Sequence, residues 1–242
     1  MREAFVRLEM LVGTDAMDRL ARARVAVFGL GGVGGYVAEA LARSGVGALD
    51  LVDDDRICPS NLNRQILATV DTVGMPKAEA AANRVRAINP DIRANVRPTF
   101  FLPDTADQFD FRQYDYVADC IDTVTAKLTL IGLCREAGTP IISAMGTGNK
   151  LDPGLLRISD VYETSGCPLA RIMRKELRKR GIPSLTVVWS PEEPMEPVVP
   201  ARAEPEDSTH SARRSTPGST AFVPPAAGLL MASRIVRDLL GR

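Results

Sequence analysis

The sequence predicts an α/β protein with a doubly wound, mostly parallel sheet and a small C-terminal α/β extension. Three observations support this fold class. Short runs rich in β-branched residues alternate with longer helical segments, the first run ends in a cluster of glycines, and the alternation continues in smaller elements after residue 150. Parallel strands need long crossover connections that are usually helical, so the alternation is typical of a parallel sheet. The 242 residues fit one large domain or two small ones.

The first 150 residues contain five predicted strands separated by helices. The strands are short apolar runs at residues 24–28, 48–52, 93–97, 114–119 and 139–144. The helices have apolar residues at helical spacing or begin at a proline, and they lie at 33–44, 76–88 and 124–137. Ligands of such a sheet bind at the carboxyl ends of its strands, so we expect the functional site at that edge.

The residues after 150 are predicted to continue the same sheet. Strands are expected at 155–159 and 185–189, and helices at 168–180 and 226–240. Residues 190–220 interrupt the pattern with six prolines, six acidic residues and few large apolar side chains. Such a segment cannot offset the entropy lost on ordering, so we interpret it as a mobile loop. The apolar residues of the last helix seal either the core or a dimer contact.

Composition argues against several classes of function. The 30 basic and 30 acidic side chains cancel, so net charge indicates no partner. His210 is the single histidine of the chain and lies in the proline-rich segment, which argues against a Ser-His-Asp triad. The four cysteines form no Cys-x-x-Cys pair, which argues against an all-cysteine zinc site and a disulfide framework.

Membrane and export signals are not evident in the sequence. No apolar run approaches the roughly 20 residues that cross a bilayer. The first ten residues lack the apolar core of a secretion signal. We therefore expect a cytoplasmic protein without a transmembrane span.

The most informative motif is the glycine turn, residues 29–34, which follows the first strand and opens a helix. Its glycines let the backbone turn sharply and approach a phosphate, and the helix amides beyond Val33 attract the phosphate charge. The glycines are Gly29, Gly31, Gly32 and Gly34. A glycine-rich turn at this point can also serve tight packing alone.

An acidic cluster ends the second strand about 20 residues after the glycine turn. At this spacing the Asp53 carboxylate can accept hydrogen bonds from ribose hydroxyls, which favours a nucleotide site. Asp54 and Asp55 lie beside it. Their alternative role is to begin a solvated turn before Pro59.

Three further features favour ATP over a nicotinamide cofactor: the phosphate segment (residues 60–65), Lys77 and Asp122. Attack on an α-phosphate benefits from cations that neutralise growing charge, as Arg64 and Lys77 can, and from a carboxylate that holds magnesium, as Asp122 can. Hydride transfer has no such need. The alternatives are that Arg64 and Lys77 are surface charges and that Asp122 with Thr123 caps the helix from 124.

These motifs, in this order, resemble the adenylation domain of the ubiquitin-activating E1-like family, which includes the bacterial thiamine and molybdopterin sulfur-carrier activators. The resemblance covers residues 1–150 and implies a Rossmann-like fold and a homodimer that binds one ATP and Mg²⁺ per protomer. It implies that the nucleotide contacts, beside the glycines and Val33, are Asp53, Asp55, Asn61, Arg64, Gln65, Lys77 and Asp122.

The same resemblance implies how catalysis is shared between protomers. It gives catalytic roles to Arg64, Lys77 and Asp122, with Asp122 as the metal ligand, and places Arg7 where an arginine reaches into the neighbouring site. Ala4 departs from an arginine often found at the start of that segment.

The remaining sequence is similar to one branch of that family, the bacterial tRNA threonylcarbamoyladenosine dehydratases. The similarity lies in residues 143–153, in residues 167–171 and in the basic helix behind them; residues 190–220 lack the cysteine that carrier-loading members use. It implies that ATP activates the threonylcarbamoyl carboxylate on the adenosine next to the anticodon. An internal nucleophile of the modification then closes a ring and expels AMP.

A basic helix is the predicted tRNA contact. Its cations recur at three- and four-residue steps, so we expect them on one helical face: Arg171, Arg174, Lys175, Arg178 and Lys179. Neutralising several phosphates makes binding fall steeply with salt. The alternative is an ordinary solvated face.

Other interpretations remain open at this stage. Cys167 is either reactive at a helix start or buried, and residues 100–102 pack either on adenine or in the core. As rival functions we consider activation of a sulfur-carrier protein, with a sulfur-shuttling partner, and a non-catalytic, nucleotide-gated binding module. An NAD dehydrogenase is a further rival.

Overall fold

The structure, a computed structural model, describes residues 2–199 and 217–242. One seven-stranded sheet runs through it, with the strand order β3-β2-β1-β4-β5-β7-β6. The strands are β1 (Arg24–Phe28), β2 (Ala48–Val52), β3 (Arg93–Arg97), β4 (Tyr116–Asp119), β5 (Ile141–Ala144), β6 (Arg157–Asp160) and β7 (Thr186–Trp189). All neighbouring strands pair in parallel except β6 and β7, which are antiparallel.

Seven α-helices accompany the sheet in the described residues: α1 (Val6–Val12), α2 (Thr14–Arg22), α3 (Gly34–Arg43), α4 (Lys77–Ile88), α5 (Val124–Ala137), α6 (Pro168–Lys179) and α7 (Val223–Leu239). Alternate strand residues point to opposite faces, so the sheet buries apolar side chains on both. Val25 and Val27 pack with residues of α2, α3, α4 and α7. Ala26 and Phe28 face the other side, where α5 packs.

The chain order reverses at β1, and this confirms the predicted doubly wound fold. β2 and β3 extend the sheet to one side of β1, and β4 and β5 extend it to the other. Phe28 stands in register with Val52 and with Asp119, so the carboxyl ends of β1, β2 and β4 lie at one level of the same edge. A crevice at this reversal is where such sheets bind ligands.

Most predicted elements match the observed ones within two or three residues. β4 begins at Tyr116 rather than 114, and α7 begins at Val223 rather than 226, because Pro224 and Pro225 fit the first helical turn. α1 and α2 were not predicted. The signal for α2 was present, since Ala16, Met17 and Leu20 share its buried face.

The C-terminal extension continues the first sheet, as expected, because β7 pairs with β5. The predicted mobile loop is anchored at both described ends. Met195 donates its backbone N–H to Asn149 O at 2.8 Å, and Asn149 donates its own to Gly218 O at 2.8 Å. Residues 200–216, with His210, lie outside the described residues. No helix within the described ranges has the length and apolar character to cross a membrane.

Candidate active site

The glycine turn lies at the reversal point of the sheet, against the ends of β2 and β4. Gly29 has a positive φ of 84°, and a Cβ there would lie 2.8 Å from the Cys120 carbonyl oxygen. A Cβ at Gly34 would lie 1.8 Å from the Gly29 carbonyl oxygen. Both glycines are therefore required for packing. Gly31 is different: its nearest neighbour is Gln65 Nε2 at 3.8 Å, which leaves room for close approach of a ligand to the backbone.

The first helical turn of α3 presents its backbone amides next to the glycine turn. Val33 is its N-cap residue and makes no side-chain capping bond. The amides of an uncapped helix start, together with the positive end of the helix dipole, favour a negatively charged ligand. The geometry thus agrees with a phosphate site at Gly31 to Gly34, although the individual contacts stay predictions.

Asp53 braces the glycine turn, a role that the sequence did not reveal. Its Oδ2 accepts the Leu30 backbone N–H at 2.6 Å, and its Oδ1 accepts the Asp55 N–H at 2.9 Å. Burial raises the pKa of the Asp53 carboxyl, and the nearby positive charge of Lys77 opposes that rise. The expected contact of Asp53 with a ribose stays a prediction.

Lys77 is brought to the same edge by the start of α4. Its Nζ lies 2.7 Å from Asp55 Oδ2, and its backbone N–H donates to Asp55 O at 2.9 Å. Carboxylate oxygens of Asp53, Asp54 and Asp55 can lie within 4.8 Å of one another. Oxygen donors of this kind suit Mg²⁺. Asp122, the expected metal ligand, is not part of that group.

The phosphate segment packs against the glycine turn. Arg64 donates from Nη1 to Ser60 O at 2.8 Å and to Asn63 Oδ1 at 2.9 Å. Its Cγ lies 3.4 Å from the position of a Cβ on Gly32. The buried Asn61 accepts the Cys58 N–H on Oδ1 at 3.1 Å, so its side chain shapes the turn, and its phosphate contact stays a prediction.

Gln65 is the clearest sign that this region receives a ligand. The residue is buried, and its Oε1 has no hydrogen-bond partner within the described part of the chain. A buried polar atom without a partner is costly, so such atoms are usually satisfied by a ligand or water. Because the amide also approaches Gly31, the residues present fit a polar ligand at the glycine turn.

Asp122 lies in the loop after β4, beside the same crevice. It is exposed, and its Oδ1 accepts a long hydrogen bond of 3.4 Å from Thr123 Oγ1. Thr123 is the N-cap residue of α5, and its side chain makes no capping bond. The metal and catalytic roles of Asp122 stay predictions.

A buried ionic network under that loop was missed by sequence reasoning. Lys127 Nζ lies 2.9 Å from Asp119 Oδ2 and 3.0 Å from Ser143 Oγ, and the Ser143 hydroxyl donates to Asp119 Oδ2 at 2.5 Å. Lys127 and Asp119 are fully buried. Asp119 Oδ1 also accepts the Ile121 N–H, so the network holds the loop that carries Asp122. The only feature of the sequence that could have indicated this network is a lysine on the buried face of an apolar helix.

The basic helix is α6, and its cations are not equivalent. Arg174 bends onto Thr164, whose carbonyl oxygen accepts from its Nη1 at 2.9 Å. Arg178 lies over the Tyr162 ring at 5.0 Å, and Lys179 pairs with Glu176 at 2.8 Å. Arg171 and Lys175 are exposed. The cations of α6 therefore differ in their contacts, and Arg174 contributes least to any external surface.

The remaining expectations have mixed outcomes. Cys167 is buried at the start of α6, as its apolar interpretation requires. Phe101 packs in the core, with its ring 5.0 Å from that of Phe28. Arg7 is exposed on α1, beside Met10 and Leu11, which are about four-fifths exposed.

Comparison with known proteins gives concordant matches. The model of the ThiF family matches residues 5–242. The tRNA threonylcarbamoyladenosine dehydratase of Bacillus subtilis is 40% identical over 243 residues, 99% of this chain and 96% of the relative. The enzyme of that name from Escherichia coli is 42% identical over 177 residues, 73% of this chain and 66% of its own length.

Solved structures agree with the sequence matches. The crystal structure of E. coli tRNA N6-threonylcarbamoyladenosine dehydratase in complex with AMP has a TM-score of 0.88 and 33% identity, covering 99% of this chain and 95% of that one. Its complex with ATP has a TM-score of 0.87 with the same identity and coverage.

Proposed function

Since this chain belongs to the ThiF family, we propose that it is an ATP-dependent tRNA threonylcarbamoyladenosine dehydratase. The observation that carries the proposal is the grouping of the glycine turn, Arg64, Gln65 and Lys77 at one edge of the sheet, in a chain 40% identical to such an enzyme over nearly its full length. The related E. coli enzyme has been crystallised with both AMP and ATP.

The proposed reaction begins with adenylation of a carboxylate. The threonylcarbamoyl carboxylate of the modified adenosine attacks the α-phosphate of ATP, and pyrophosphate leaves. A nucleophile within the same modification then attacks the activated carbonyl carbon, a ring closes and AMP leaves. The substrate supplies its own nucleophile, so the protein has to bind, orient and neutralise charge rather than supply an imidazole or a thiolate.

The proposal gives each of these residues a role. The amides of the glycine turn and the start of α3 bind phosphate oxygens, and Arg64 and Lys77 neutralise charge that grows as the bond to pyrophosphate breaks. Asp122 would hold Mg²⁺, and the ion would shield the triphosphate charge.

We further propose a cytoplasmic homodimer. The α1 helix exposes Val6, Met10 and Leu11, which an interface would cover, and Arg7 lies on the same helix. In a dimer Arg7 would reach the neighbouring site. A sulfur-shuttling or carrier protein as a further partner stays a prediction.

The direct test uses ATP and tRNA that carries threonylcarbamoyladenosine. We expect AMP and pyrophosphate to form and the modified nucleoside to lose the mass of one water, measured by mass spectrometry. Unmodified tRNA is the control. Formation of AMP that requires a carrier protein and ignores tRNA would instead favour carrier activation, and a protein that binds ATP without any turnover would favour a binding module.

Salt dependence tests the proposed tRNA contact at α6. Replacing the exposed Arg171 and Lys175 with glutamate should weaken tRNA binding. It should also reduce the magnitude of the negative slope of log K against log salt by about 2, because each lost phosphate contact removes about one released counterion. Fluorescence anisotropy at several salt concentrations measures the slope. The control is Arg112→Glu, at an exposed arginine outside the site. An unchanged slope would mean that α6 is an ordinary solvated face.

A further inference from the structure

Residues 217–223, the return segment, bring the chain back from the undescribed residues to α7. The segment contacts the loop after β5 and the phosphate segment, and the residue directly after it approaches the glycine turn. Gly218 O accepts the backbone N–H of Asn149, which follows β5. Pro224, just beyond the segment, approaches the glycine turn, where its Cβ lies 3.1 Å from the position of a Cβ on Gly32. The third contact is with the phosphate segment and is made by Asn63.

Asn63 uses both ends of its carboxamide. Its Nδ2 donates to Ser219 O at 3.0 Å, and its Oδ1 accepts from Arg64 Nη1 at 2.9 Å. Ser219 is 156 residues away along the chain. One short, planar side chain therefore links the return segment to the guanidinium proposed to neutralise phosphate charge.

Hydrogen bonds restrict the Arg64 side chain, which is otherwise long and flexible. An arginine side chain has many rotamers, and each acceptor on its guanidinium removes part of that freedom. The Ser60 carbonyl and the Asn63 side-chain oxygen both accept from Nη1, so each of these two bonds restricts the direction of the guanidinium. The Ser60 carbonyl belongs to the phosphate segment itself, whereas Asn63 is in turn held by Ser219.

We propose that Asn63 is a positioning residue that aims Arg64 at the phosphates and makes that aim depend on the return segment. The inference rests on the proposed adenylation function. Asn63 does not touch the reacting atoms; it acts through Arg64. The placement of the return segment thereby becomes part of the catalytic geometry.

Substitution of Asn63 by alanine removes both hydrogen bonds. We expect kcat for AMP formation to fall about tenfold, with the KM for ATP within about threefold of its original value. A cation that points away from the phosphates loses most of its effect in the transition state, where negative charge grows. In an Arg64→Ala background, Asn63→Ala should cause no further loss, since a residue that acts only through Arg64 has nothing left to position. An additive tenfold loss in that background would overturn the proposal.

Asn63→Asp separates the effects of the two hydrogen bonds of Asn63. The carboxylate still accepts from Arg64 but cannot donate to Ser219 O, so kcat should fall about threefold, less than in Asn63→Ala, because only the link to the return segment is lost. Hydrogen exchange should accelerate at the amides of Phe222 and Val223, which donate to Thr220 Oγ1 within the return segment. A kcat equal to that of the unchanged protein, or unchanged exchange in both variants, would overturn the proposed link.

Asn83→Ala is the matched control, because Asn83 is an exposed asparagine on α4 outside the site. Both its kcat and its exchange should stay unchanged, and thermal melts should confirm that all variants fold. The exchange measurement needs no turnover. If the unchanged protein forms no AMP from modified tRNA, the proposed function fails, while exchange in residues 222 and 223 still decides whether Asn63 holds the return segment.

Discussion

Replacing Arg64 with alanine is expected to lower the rate of AMP formation about 100- to 1,000-fold, with the melting temperature close to that of the unchanged protein. Removal of a preorganised group that stabilises transition-state charge commonly costs this much. Arg64 is partly exposed, and its Nη1 donates to a backbone carbonyl and to an exposed asparagine, so the side chain is not part of the apolar core. Single-turnover AMP formation and a thermal melt measure the two effects separately.

Two comparisons make this result specific. Lys77→Ala and Asp122→Ala should produce losses of similar size, because all three side chains are proposed to act on the same triphosphate. Arg112→Ala removes an exposed arginine that pairs with Asp110, and exposed pairs contribute little, so its turnover should be unchanged. Near-normal adenylation by the Arg64 variant would remove the basis of the proposed mechanism.

Gly34→Ala is expected to destabilise the protein by about 3 kcal/mol or more, or to prevent folding. A methyl group at this position would lie 1.8 Å from the Gly29 carbonyl oxygen, which is backbone and cannot rotate away as a side chain can. Relief requires α3 to move, and the fully buried Val37 and Leu41 of that helix oppose the movement. Urea denaturation followed by circular dichroism measures the change.

The chain offers a matched control in Gly132→Ala. Gly132 also lies inside a helix, α5, but a Cβ there meets no atom within 4 Å. Alanine should raise stability by about 0.5–1 kcal/mol, because it has the higher helix propensity and lowers the entropy of the unfolded chain. If the two variants had equal stability, the close approach of α3 to the glycine turn could not explain the need for Gly34.

The local features of the site could be predicted from the sequence. The glycine turn could be predicted because a positive φ and close backbone approach demand glycine, and the run from β1 into α3 announces a strand-turn-helix unit. Arg64, Gln65 and Lys77 were predicted from motif order and resemblance, and the structure places all three beside the turn or the acidic cluster that follows β2. Periodicity predicts that the cations of α6 share a face, but it does not show that Arg174 has an acceptor in Thr164.

The sequence by itself determined the alternation of strands and helices, the faces that each element buries and the residue types at the carboxyl edge of the sheet. Only the tertiary structure decided which polar atoms meet: Asp53 with the Leu30 amide, Lys127 with Asp119 and Ser143, and Asn63 with Ser219. The reason is the separation along the chain of the residues involved. Periodicity and turn chemistry are local properties of the chain, whereas a hydrogen bond requires two atoms to approach within about 3 Å, and strand register and helix packing bring distant residues that close.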